Sequence, residues 1–194
     1  MNYAYKNVIE LKNDNEIKKI IWVIDTLHSE IGFKVKHMMI SNICGVFNEF
    51  EASIITNGED FLTAEIEFEM NANSVCTKHE KRDEHLKSLD FFDVVNHQKI
   101  NFSANYYKVI DSDASSELFG YLTIKGITKQ IKLDVEFGGI KTDLNGVEKA
   151  GFSVTGKLNR KDWNLNWNST LDGGEAIIAN EVIIHCDLQL IKKM

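Results

Sequence analysis

The chain has 194 residues, 43% of them hydrophobic and 26% charged, with a formal net charge of −7. That length suits one sizeable domain, and an acidic chain without clustered basic residues excludes a nucleic-acid-binding surface. No apolar run approaches the roughly 18 residues that a membrane-spanning helix needs, so an integral helical membrane protein is excluded as well.

Residues 1–19 are polar and weakly patterned, with Val8, Ile9, Leu11 and Ile17 scattered among Asn and Lys, and are expected to form an N-terminal extension. The start, Met1 to Lys6, has no apolar core, and Glu10, Asp14 and Glu16 follow. It does not read as a secretory signal. The expectation is a cytoplasmic protein, or a periplasmic one if this N-terminus is a processed form. Cys44, Cys76 and Cys186 are odd in number, widely spaced and without a CxxC pair, which fits reduced, buried thiols better than a disulfide framework or a zinc site.

From Ile20 the pattern sharpens. Ile20 to Asp25 reads as a strand apolar on both faces. Ser29 to Met38 alternates strictly, with Ile31, Phe33, Val35 and His37 on one side and Glu30, Gly32, Lys34 and Lys36 on the other. Period-2 alternation means one buried face and one wet face, so His37 falls in the buried register. Ile43 to Ile55 carries Phe47 and Phe50, and Asn57-Gly58 is a hairpin turn signal. Leu62, Ala64, Ile66, Phe68 and Met70 then alternate with Thr63, Glu65, Glu67 and Glu69.

Residues 82–92 break this rhythm. Leu86 and Leu89 are three apart, and His85, Leu89 and Phe92 fall at helical spacing, with Arg82, Asp83, Glu84 and Lys87 on the opposite side. A short amphipathic helix followed by Phe91-Phe92 is predicted, lying against the sheet or across an opening in it. Strands resume at Ile100, Phe102, Ala104 and Tyr106, and again at Leu118, Gly120, Leu122 and Ile124, which close at the Lys125-Gly126 turn. Ile131 to Phe137 is expected to end at Gly138-Gly139. Phe152 to Leu158 follows, then a polar loop over 164–174 beside Trp163 and Trp167, then a last strand from Val182 to Leu190.

About eight or nine strands joined by turns too short for parallel crossovers make an antiparallel sheet. Closing it into a barrel removes its edges, whereas periodicity alone also permits a two-sheet sandwich. A barrel of about eight strands is either plugged by side chains or wide enough for one small ligand. Gly120 and Gly156, both in inward registers, favour a cavity if they remove wall volume and a plug if they serve only curvature.

Trp22 to Ser29, Phe33 to His37, Gly45-Val46-Phe47 with Phe50, the segment Arg82 to Asp93, and Gly120 to Lys129 resemble, in order, the characteristic segments of the YceI-like family. The resemblance implies an all-β, antiparallel, lipocalin-like barrel over residues 20–194, often homodimeric, binding isoprenoid lipids or long amphiphiles in its interior. There are departures. The family usually has a proline within the stretch that here reads Asn96 to Ile100, and often one near Lys129-Gln130, whereas this chain has no proline. Many members also carry an export signal.

The expectation is therefore a non-enzymatic protein that sequesters or carries a long apolar ligand (isoprenoid, quinone or fatty amphiphile), with no other cofactor. A lipid-modifying enzyme on the same barrel and a plugged barrel acting through its surface are the rivals. Residues expected to face the ligand are Phe33, Val35, His37, Phe47, Ile66, Phe68, Arg82, His85, Leu89, Phe91, Phe92, Phe102, Leu122 and Ile124. Arg82 and Arg160 are the nearest candidates for a charged or oxygen-rich head, each with a structural hydrogen-bonding role as the alternative. His79, Asp83 and His85 do not share one helical face, and HExxH is absent, so a metal site is not expected. Asp25, Ser29 and His37 lack any nucleophile elbow, so a hydrolytic triad is not expected either.

Overall fold

The alternating segments become strands in a computed structural model that describes residues 18–110, 115–170, 174 and 176–193. The expected extension lies, up to Ile17, outside the described residues. In chain order the strands are β1 Lys19–Ile24, β2 Glu30–His37, β3 Ser41–Phe47, β4 Phe50–Asn57, β5 Asp60–Asn71 and β6 Val75–Cys76. The helix α1, Glu80–Lys87, follows. Then come β7 Lys99–Val109, β8 Ser115–Ile124, β9 Ile127–Thr142, β10 Glu148–Asn159 and β11 Ile178–Lys192. One 3-10 turn, Ala72–Ser74, sits between β5 and β6, and another, Arg160–Trp163, follows β10.

The sheet runs β1-β4-β5-β7-β8-β9-β10-β11-β2-β3-β6 and closes through an additional β1–β11 pairing. One end of β11 pairs with β1, at Ile24↔Leu190, and the other with β2, at Ile184↔Phe33. β1 and β2 are thus two halves of one stave, broken at Asp25–Ser29, and β3 and β4 are two halves of its neighbour. Counted this way the molecule is a closed antiparallel barrel of eight staves. Closure excludes the sandwich.

The first break is pinned by Asp25. Its carboxylate accepts from Leu27 N at 3.2 Å and Gln189 Nε2 at 2.9 Å and lies 2.9 Å from His28 Nδ1. Burial works to raise its pKa, but the hydrogen bonds from Gln189, His28 and Leu27 outweigh it and hold the carboxyl below its usual range.

Two expectations are corrected here, and one stretch is subdivided. The stretch 43–55 is two strands, because the chain bends at Asn48-Glu49 to leave one neighbour and join another. Gly138-Gly139 does not end β9: the register shifts opposite Gly151/Phe152, and the strand continues to Thr142. An extra residue on one strand is a β-bulge, and Gly139 supplies the φ of +100° that an L side chain rarely adopts. Finally, Cys44 is exposed rather than buried, since it occupies the outward register between Ile43 and Gly45.

Inside, two apolar clusters stack along the barrel. Trp22, Ile54, Ala64, Ala150 and Leu190 form a floor. Phe61 joins it, with ring centroids 5.0 Å from Trp22, 5.4 Å from Phe137 and 4.9 Å from Phe152. Trp22 is fully buried, and its indole Nε1 donates to Thr56 Oγ1 at 3.1 Å. The larger cluster fills the rest of the wall, from Val154 and Leu133 to Trp163 and Leu165.

Candidate ligand-binding cavity

The inward side chains do not fill the barrel. A cavity of about 340 Å³ lies beneath α1, and a second of about 150 Å³ lies between it and the aromatic floor. Ile31, Met70, Leu122 and Ile184 border both, so one ring of side chains divides a single apolar channel. Along β11 the lining passes from Ile178 at the helix end to Leu190 at the floor. Twelve residues of strand at ~3.3 Å each, tilted by about 40° in the barrel, give a length of roughly 30 Å. An apolar cavity of the smaller size stays dry. The larger has the volume of a small-molecule site, of order 300–1,000 Å³.

The glycines read as sources of space are not empty. A Cβ on Gly120 would stand 2.4 Å from Phe102 Cζ, and one on Gly156 would stand 2.5 Å from Leu133 Cδ2. Neighbouring side chains occupy that volume, so the channel arises from the barrel's girth.

All but one of the expected residues line this channel. Phe33, Val35, His37, Phe47, Arg82, His85, Phe91, Phe92 and Ile124 face the larger cavity, Ile66, Phe68 and Phe102 the smaller, and Leu122 both. Leu89 is the exception, at 72% exposed. The predicted helix was too long at its C-terminal end. α1 begins at Glu80 and stops at Lys87, where Ser88 caps it in an extended conformation and donates to His85 O. The i,i+4 relation of His85 to Leu89 then no longer holds, and Leu89 points outward.

Beyond α1 the chain turns so that both phenylalanines reach inward. Phe91 N donates to Ser88 O at 3.1 Å and Phe92 N to Leu86 O at 2.9 Å. Phe92 meets Phe47 edge-on at 5.7 Å, while Phe91 packs against His85 at 5.1 Å and Trp167 at 5.6 Å. The stretch where the family's proline is missing is held instead by Asp93, at φ 49°, whose carboxylate accepts from Asn96 Nδ2 at 3.1 Å.

Polar groups on and beside α1 already have partners within the protein. Asp83 accepts from Thr77 N at 2.8 Å and from the Thr77 hydroxyl, and Arg82 Nε donates to Thr77 Oγ1 at 2.7 Å. His79 caps the helix through Arg82 N at 3.3 Å, and His85 Nε2 lies 2.9 Å from Asp90 Oδ2. Among the described residues, no three His, Cys, Asp or Glu are grouped to hold a metal ion. Ser29, just before β2, and His37, at its far end, are about 26 Å of extended chain apart, and Ser29 is occupied with Gln189.

Sequence reasoning missed the wall contributed after β10. Trp163 is 2% exposed and donates from Nε1 to Leu122 O at 3.1 Å, and Leu165, Trp167 and Ile177 complete that side. Arg160, weighed as a head-group candidate or a structural hydrogen-bond donor, is 4% exposed at the start of the same turn. In the smaller cavity, burial raises the Tyr107 phenol and pushes the Cys186 thiol up to about 11, so both face it uncharged. No described helix is long and apolar enough to cross a membrane.

Fold and channel together define a lipocalin-like barrel with an apolar interior. The family model described as the YceI-like domain matches residues 22–190, and the chain belongs to the YceI-like family. A UPF0312 protein of Staphylococcus aureus strain MSSA476 is 36% identical over 162 residues, covering 83% of this chain and 91% of its own. The YCEI protein of Campylobacter jejuni is 30% identical with a TM-score of 0.67, over 88% of this chain and 96% of its own. A polyisoprenoid binding domain from Saccharophagus degradans has a TM-score of 0.61 at 13% identity, over 89% and 98% of the two chains, and so shares the fold alone.

Proposed function

We propose that the barrel binds one long, slender apolar molecule (an isoprenoid, a quinone or a fatty amphiphile) and sequesters or carries it. The observation that carries this reading is the channel itself: two apolar cavities sharing one ring of side chains, running from α1 to the Trp22 floor. A plugged barrel would have no such space. The polyisoprenoid binding described for the Saccharophagus degradans domain, on the same fold, supports the reading. Burying about a dozen methylenes at ~0.8 kcal/mol each supplies on the order of 10 kcal/mol before ordering costs, enough for micromolar affinity. Mass spectrometry of an organic extract of the freshly purified protein is expected to show a long-chain lipid, and an apolar fluorescent probe should bind the delipidated protein. If the extract is empty and the probe does not bind, the proposal fails.

In this reading α1 acts as a cover. It has no fully buried residue, and a helix of eight residues is not stable alone in water. Such weakly held elements open most readily. Amide exchange over Glu80–Lys87 is therefore expected to slow when a long-chain alcohol fills the channel, with Ile131–Phe137 on the far wall unchanged. Equal protection of the helix with and without the alcohol would make it a fixed part of the wall.

A further inference from the structure

The sequence contains two arginines and twenty lysines. Among the described residues, both arginines line the larger cavity, and no lysine, aspartate or glutamate does. Arg160 is 4% exposed and makes no carboxylate contact among the described residues. Its Nε donates to Ala179 O at 3.0 Å and its Nη1 to Trp167 O at 2.9 Å and to Leu165 O. These carbonyls hold the guanidinium plane still, while Nη2, buried, has no hydrogen-bond partner among the described residues. Arg82 enters the same cavity from α1, tethered by Nε to Thr77 Oγ1 and by Nη2 to Thr77 O, each at 2.7 Å.

An unpaired buried cation is costly unless an anion or a hydrogen-bond acceptor reaches it. Here the tethers are all neutral, so the charge is uncompensated among the described residues. Arginine rather than lysine suits this place, because its planar fork can be fixed on one side and still present donors on the other. Burial also lowers the Arg160 pKa from its ordinary value, the direction an approaching anion would reverse.

Resting on the lipid-binding reading, we infer that the helix end of the channel is a head-group site, in which Arg160 Nη2, with Arg82 opposite on α1, binds a carboxylate or phosphate on the ligand's end. The tail then runs past the Ile31–Met70–Leu122–Ile184 ring toward the floor. The ligand is an anionic amphiphile, and a neutral chain is the poorer occupant.

Displacement of an apolar fluorescent probe from the delipidated full chain, by two matched pairs, tests this: hexadecanoate against hexadecan-1-ol, and geranylgeranyl phosphate against geranylgeraniol. The anion of at least one pair is expected to bind about tenfold more tightly or better than its alcohol, the yield of one charge-assisted hydrogen bond. Preference confined to the first pair identifies a fatty acid, and preference confined to the second a phosphorylated chain. R160M should bring the anion down to its alcohol's affinity and leave the alcohol unchanged, and R82M should reduce the preference in part. The wild-type comparison and R82M stand independently of whether R160M folds, which matters because Arg160 also tethers three carbonyls. Equal affinity within both wild-type pairs, or full preference in R160M, overturns the head-group site and leaves lipid binding intact. Failure of all four compounds to displace a bound probe would overturn both.

Discussion

Replacing Trp22 by alanine is expected to destabilise the delipidated protein by about 3–5 kcal/mol, the range for truncating a large buried aromatic. The indole is fully buried, packs on Phe61 at 5.0 Å and donates to Thr56, itself fully buried. Truncation would leave a void in the floor where four aromatic rings meet. At a urea dependence of about 2 kcal/mol per molar, the midpoint should fall by roughly 2 M. Phe68→Ala is the contrast. Phe68 is only partly buried and already faces the smaller cavity, so fewer packing partners are lost. Its midpoint should move less than half as far. Equal losses at the two positions would mean that the channel wall is packed as tightly as the floor.

Two glycine substitutions should separate stability from occupancy. A Cβ at Gly45 would stand 2.3 Å from Phe33 Cζ and 2.9 Å from Thr77 Cγ2. The ring tip can give way, because Phe33 lines the larger cavity and has space to swing into. Gly45→Ala is therefore expected to fold with little loss but to bind long-chain ligands about tenfold more weakly. That corresponds to displacing roughly two methylenes at ~0.8 kcal/mol each. At Gly120 the added Cβ would meet Phe102 and also the Ser103 carbonyl oxygen at 2.7 Å. Backbone of the adjacent strand cannot move aside cheaply, so Gly120→Ala should cost about 1–3 kcal/mol of stability. Denaturation midpoints and probe titrations on both variants check this, and the reverse ranking would sink it.

The strand registers were legible because each has one buried face: alternation through β2 is enough to put Phe33, Val35 and His37 on the same inner wall. The even-numbered residues of β11 from Val182 to Leu190 obey the same rule, although their place in the channel needs the double pairing of β11 with β1 and β2. Leu89 was misplaced because periodicity records spacing and not where the helix stops; the stop depends on Ser88 and the turns that follow. The Arg160–Trp163 turn left only a faint trace. It is too short to show a period, and its one local signal is Asn159, whose side chain accepts from Lys161 N at 3.1 Å. The size of the channel was not legible at all. It is a small difference between barrel girth and side-chain volume, and the two glycines that hinted at it are filled by Phe102 and Leu133.

The double pairing of β11 also sets the order in which the molecule can be completed. Until residues 178–192 emerge during synthesis, β2 and β10 lack the partner that joins them, and the barrel is an open, curled sheet. Eighteen residues separate the end of β10 from the start of β11, which at ~5–20 residues per second is roughly 1–4 s of translation. For that interval the inner apolar faces lie open along one seam. If the channel holds a lipid as proposed, its hydrophobic chain would be laid in sideways then, as the last stave closes over it, without having to thread past α1 afterwards.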